Sequence, residues 1–179
     1  EFIRHPGAVV IIPLLDDGRV LLERQFRYPL GKALLELPAG KIDPGEDVLV
    51  TAQRELLEET GYTAEHITKL TTIATTVGFS NEKIHLYVAE GLTPGKQHTD
   101  EDEFINVVKV PLAEAVAMAT DGRIVDAKSV ISILMLAAQQ NAAKYYKEYN
   151  KAKTAERLGF VGREEGISAE AVALIGVVE

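Results

Sequence analysis

Residues 54–62 read RELLEETGY and put Glu55, Glu58 and Glu59 in the last turns of a helix that Gly61 closes. At about 100° per residue the three carboxylates fall within roughly 100° of arc. Carboxylates at i,i+3 and i,i+4 spacing repel one another, and near a helix C-terminus they also oppose the macrodipole. A fold built on this chain must therefore bring compensating positive charge to that helix end. Two environments do so: a solvated face screened by bulk ions, or a cage for hard divalent cations, which take oxygen ligands. Arg54, beside the arc, can pair with one carboxylate and fix its rotamer. Leu49, Ala52 and Leu56 lie alongside and are expected to anchor the helix to the core.

The flanking sequence predicts the scaffold. AVVIIPLL and RVLLERQF, on either side of Asp16-Asp17-Gly18, predict a hairpin. ALLELPAG predicts a short strand ended by Pro38 and Gly40, KIDPGE a loop, and residues 47–60 the acidic helix with Gly61 just past its end. Strands are expected at 67–76, 84–89 and 104–110, then a short helix in LAEAVAMAT ended by Asp121-Gly122. Asp126 should cap a longer helix from 127 to 148. This order predicts an α+β domain, an α/β/α sandwich with a mixed sheet. That domain is expected to occupy residues 1–148. Residues 149–179 form an extension: a polar helical stretch, a loop at FVGREEG and an apolar element capped by Ser168. The extension is expected to dock on the same domain, with a partner contact as the alternative.

At 179 residues the chain suits one domain, and 46% apolar with 26% charged residues is ordinary globular usage. A net charge of −8 argues against nucleic-acid or anionic-membrane binding, which needs clustered Lys and Arg. Cysteine is absent, which excludes disulfides, a thiol nucleophile and Cys-based zinc sites and suits the cytoplasm. The longest apolar stretches, AVVIIPLL and VISILMLAA, are too short to span a bilayer. The chain opens EFIRHPG rather than at a methionine, so a preceding segment is expected.

Residues 40–62, GKIDPGEDVLVTAQRELLEETGY, resemble the Nudix box at Gly40, Glu46, Arg54, Glu55, Glu58, Glu59 and Gly61; Tyr62 replaces its final aliphatic residue. The resemblance implies a Nudix fold and hydrolysis of a nucleoside diphosphate linked to another group. It also implies Mg²⁺, with Mn²⁺ as a substitute, at two or three ions per site. Glu55 and Glu59 would be the principal ligands, the Ala39 carbonyl a third, and Glu58 a ligand or its neighbour. Glu46 would support the loop, reach a metal through water or bind substrate, and Arg54 and Glu58 would belong to the catalytic set with Glu103.

Over about residues 4–138 the chain is similar to the ADP-ribose pyrophosphatase branch, in RHPGAVVIIPLLDDGRVLLERQFRYPLGKALLELPAGKID, GFSNEKIHLYVAEGL and DEDEFINVVKVPLAEA. Matching positions imply that Arg27 contacts the substrate pyrophosphate and Glu82 the second sugar. In TDEDEF, Glu103 is the expected base or water-positioning residue, with Glu101 second, because Phe104, Ile105, Val107 and Val108 should pin the strand that follows. His5, His66, His85 and His98 show no ligand spacing and are expected to be structural or exposed. TTVGFS departs from the branch by putting Val77 where a proline is usual, which bears on the substrate. Apolar residues 8–26 should supply sheet edges that need covering, and the branch commonly forms homodimers whose N-terminal strands complete the partner's base site. The leading expectation is Mg²⁺-dependent cleavage of ADP-ribose to AMP and ribose 5-phosphate. Alternatives are another nucleoside diphosphate sugar, or an inactive nucleotide-binding module. Intact Arg54, Glu55, Glu58 and Glu59 count against the module, which has no need to tolerate such repulsion.

Overall fold

Ala8–Pro13 (β1) is apolar on both faces, and a strand of that kind belongs inside a sheet covered on both sides. In the computed structural model, which describes residues 1–99 and 103–157, it is an inner strand with Val9, Val10, Ile11 and Ile12 fully buried. Its neighbours are Ala39–Lys41 (β4), antiparallel, and Lys83–Pro94 (β6), parallel; Tyr62–Ala74 (β5) then pairs antiparallel with β6. The four-stranded sheet is therefore mixed, in the order β4-β1-β6-β5. A second, antiparallel sheet has Arg19–Arg27 (β2) between Lys32–Glu36 (β3) and Ile105–Pro111 (β7).

The acidic helix, Val48–Thr60 (α1), begins at Asp47, whose carboxylate accepts the Leu49 N–H at 2.9 Å. It ends at Gly61, where φ is +74° and a side chain would be strained. Ala52 and Leu56 pack on Val9, Ile11, Tyr87 and Ala89 of the mixed sheet. Leu112–Asp121 (α2) follows β7, and Ala127–Arg157 (α3) starts at Asp126, which accepts the Ser129 N–H at 3.0 Å. Two compact units result, Glu1–Met135 and Leu136–Glu179. The first carries both sheets. In the second, the described residues continue α3 to Arg157, beyond the expected 148. No helix among the described residues is long and apolar enough to cross a membrane.

Several expectations need correction. Residues 8–26 do not form a paired hairpin: the chain turns tightly, with the Leu15 N–H on the Arg19 carbonyl and a Leu14–Val20 bridge, and β1 and β2 then part into different sheets. Residues 8–26 supply inner strands, not sheet edges, since β1 and β2 each have a neighbour on either side. ALLELPAG breaks at Leu37-Pro38 into β3 and β4, one in each sheet, because proline has no N–H to continue the ladder. Leu49 is 39% exposed and does not anchor α1; Val48 packs against that core instead. Phe104, 81% exposed, does not pin β7, which begins at Ile105 opposite Gln25.

Candidate active site

Three elements converge on the end of α1. Gly61 lies so close to the Lys96–Gln97 backbone that a Cβ would come within 2.7 Å of the Gln97 nitrogen. The Gln97 amide donates to the Glu59 carbonyl at 2.6 Å and to the Ile105 carbonyl at 3.2 Å. These contacts tie the acidic helix end to the start of β7, and with it to Glu103.

Positive charge at that helix end comes first from Arg54, and it serves three carboxylates rather than one. Its guanidinium donates twice to Glu46, at 3.0 Å each, and through Nη1 to Glu55 at 2.8 Å and Glu58 at 2.9 Å. Glu46 also accepts the Thr51 hydroxyl at 2.8 Å; the Arg54 hydrogen bonds and then this one hold its carboxyl down at about 2. Glu46 therefore braces the loop. Burial raises the Glu55 carboxyl despite Arg54. The Glu55 carboxylate lies against the backbone at Gly40, where any Cβ would overlap it. Among the described residues no three acidic side chains stand ready as a cation cage; Glu46, Glu55 and Glu58 pair with Arg54 instead.

Glu59 is deeper, 4% exposed, and its Oε2 accepts the Ala39 N–H at 2.8 Å. Burial first, and then the negative charge of Glu23, pushes its carboxyl up to about 9. Glu23, on β2 and 3% exposed, is likewise pushed up to about 8 by burial and by Glu36 and Glu103. Glu103, half-buried just before β7, adds its negative charge to Glu23, Glu55 and Glu59. Glu101 lies outside the described residues.

Beside this cluster is a cavity of about 420 Å³, lined among others by His5, Arg27, Ala39, Gly40, Glu82 and Lys128. The expected pyrophosphate and sugar contacts, Arg27 and Glu82, thus face one space. Arg27 makes a two-pronged ion pair with Glu36, at 2.7 and 2.9 Å. Lys128, from the first turn of α3, donates to Glu36 at 2.5 Å and lies 2.9 Å from Asp126. Burial alone would raise the Glu36 carboxyl, but Arg27 and Lys128 outweigh it and hold it below its usual range. Glu82 accepts the Thr75 hydroxyl at 2.5 Å and stands 3.4 Å from His5 Nε2. His5 is therefore part of the cavity wall. His66 is exposed, His85 meets the Thr72 hydroxyl at 2.9 Å, and His98 donates its backbone N–H to the Glu58 carbonyl. Val77, 84% exposed, sits in the turn held by Thr76.

Sequence reasoning passed over Glu23, Glu36 and Lys128. Glu23 left a signal: it is the one charged residue at a buried position of VLLE, where an apolar residue belongs. Glu36 and Lys128 left none, because each is identified by a partner far away in the chain.

The NUDIX domain profile matches residues 4–131. The chain is 44% identical over 142 residues to the methanol dehydrogenase activator of Bacillus methanolicus, covering 78% of this chain and 77% of that protein. It is 42% identical over 138 residues to the ADP-ribose pyrophosphatase of Bacillus subtilis strain 168, covering 76% and 75%. The crystal structure of an ADP compounds hydrolase matches with a TM-score of 0.70 at 29% identity, over 76% of this chain and 74% of that one.

Proposed function

This chain belongs to the Nudix family of hydrolases, and on that premise we propose that it cleaves the pyrophosphate of ADP-ribose, with Mg²⁺, to AMP and ribose 5-phosphate. The observation that carries this reading is the single cavity shared by Arg27, Ala39, Gly40 and Glu82 beside the buried Glu55 and Glu59. The similarity to a Bacillus subtilis ADP-ribose pyrophosphatase supports the substrate.

The donor set fits hard cations: carboxyls at Glu23, Glu55 and Glu59 pushed up by burial and by neighbouring carboxylates, and a glycine cradle at Gly40 that a Cβ would fill. Enzymes of this family generally depend on divalent metals. Glu55, Glu59 and the Ala39 carbonyl would hold them, with Glu58 as a further ligand or neighbour. Divalent cations, when bound, neutralise the pyrophosphate and make water more acidic. The chain's own residues do the rest. Arg27, kept straight by Glu36, presents its remaining N–H groups to a phosphate oxygen. Glu82 accepts a sugar hydroxyl. Glu103 orients the attacking water and takes its proton as the water oxygen bonds to one phosphorus, and the bridging P–O bond breaks so that the other phosphate leaves with the bridging oxygen. Glu46 and Arg54 keep the loop and carboxylates in register.

A panel of ADP-ribose and other nucleoside diphosphate sugars, assayed with and without Mg²⁺ and ranked by kcat/KM, tests this. ADP-ribose should rank first and turnover should vanish without the metal. Metal-independent binding with no hydrolysis would support a binding module instead. The exposed Val77 favours one second reading, that another nucleoside diphosphate sugar is the better substrate on the same machinery.

We also infer a cytoplasmic homodimer. Phe26, Tyr28 and Leu30 are 59%, 87% and 59% exposed, and such apolar side chains in sequence suit a buried interface. Light scattering at micromolar concentration should report twice the 19.5 kDa chain mass. A monomer would refute the dimer.

A further inference from the structure

Buried polar side chains are almost always hydrogen-bonded, so an exception asks for a cause. Among the described residues, Glu23 Oε1 is a buried side-chain oxygen with no hydrogen-bond partner. Glu23 is 3% exposed and stands in β2 after Val20, Leu21 and Leu22, all fully buried. An apolar side chain at this position would avoid the cost of an unpaired carboxyl.

Strand geometry says what Glu23 faces. Residues i and i+4 of a strand share a face, so Glu23 points to the same side of the sheet as Arg27, which lines the substrate cavity. Directly opposite on β3 is Glu36, the carboxylate that holds Arg27. Opposite on β7 is Val107, and Glu103 precedes Val107 by four residues at the entry to that strand. Ala39, whose N–H Glu59 accepts, lines the same cavity as Arg27.

We propose that Glu23 is a further oxygen donor of the divalent-cation site, supplied by the three-stranded sheet rather than by the acidic helix. This rests on the cation-dependent reading above. A cation there satisfies the orphaned oxygen. It also joins the two sheets through the site, since Ala39 belongs to the mixed sheet and Glu23 to the antiparallel one.

The test is Mn²⁺ binding to the full chain, followed by electron paramagnetic resonance, for wild type, Glu23→Gln, Glu23→Leu and Glu59→Gln. Each variant's metal-free melting temperature is measured alongside. Glu23→Gln should bind Mn²⁺ about 10–100-fold more weakly, while its metal-free melting temperature stays level or rises. Should Glu23→Gln fail to fold, Glu23→Leu is read the same way, since it fills the position without charge. Weakened binding by Glu59→Gln with wild-type affinity in the Glu23 variants would overturn the proposal and leave the cation site standing. Wild-type affinity in Glu59→Gln as well would overturn the cation site itself.

Discussion

Glu59→Gln should abolish most turnover and, in the metal-free protein, raise the melting temperature at alkaline pH. Loss of activity follows if Glu59 is a principal cation ligand, because the amide keeps the shape but not the charge. Glu55→Gln should lose most activity for the same reason. The gain in stability follows from linkage. Burial and Glu23 lift the folded-state Glu59 carboxyl from the ordinary 4.5 to about 9. Between those values the folded protein holds a proton that the unfolded chain releases. Its stabilising contribution is thus full below about 4.5, declines as pH rises, and is gone above about 9. The metal-free wild type should melt progressively lower from pH 5 to pH 9, and Glu59→Gln should flatten that decline while still accepting the Ala39 N–H. Differential scanning calorimetry in chelator checks the slope, and a phosphate-release assay checks turnover. Near-wild-type activity in both glutamine variants would sink the assignment of the cation site to this helix.

Glu103→Gln should lower kcat by about a hundredfold or more with KM little changed, the pattern of a group that acts in the transition state. Glu103 is half-buried at the mouth of β7, and its charge is felt at Glu23, Glu55 and Glu59. It stands two residues before Ile105, which is buried, registered opposite Gln25 and tied through its carbonyl to Gln97. The backbone anchor nearest to it is therefore Ile105, not the exposed Phe104. Glu101→Gln should cost much less. Steady-state kinetics of the two variants decide between them: if the larger loss fell on Glu101, that residue would be the base.

Local sequence determined much of this molecule. Asp47, Gly61, Asp126 and Gly122 mark helix ends because capping and left-handed backbone are properties of a few adjacent residues. The spacing of Glu46, Arg54, Glu55, Glu58 and Glu59 likewise lies within one loop and one helix, so most of the acidic site was legible before any fold was known. Tertiary structure alone decided which strands pair. The apolar runs in β1 and β2 signal burial but not partners, and their turn sequence suggested each other when each took different neighbours. It also decided that Arg54 would serve three carboxylates, and that Leu49 would face solvent. Above all it brought Glu36 of β3 to Lys128 of α3, ninety-two residues away, and put Glu59 of α1 within the electrostatic influence of Glu23 of β2. Electrostatic coupling falls off with distance in space, and no pattern along the chain encodes that distance until the sheets have formed.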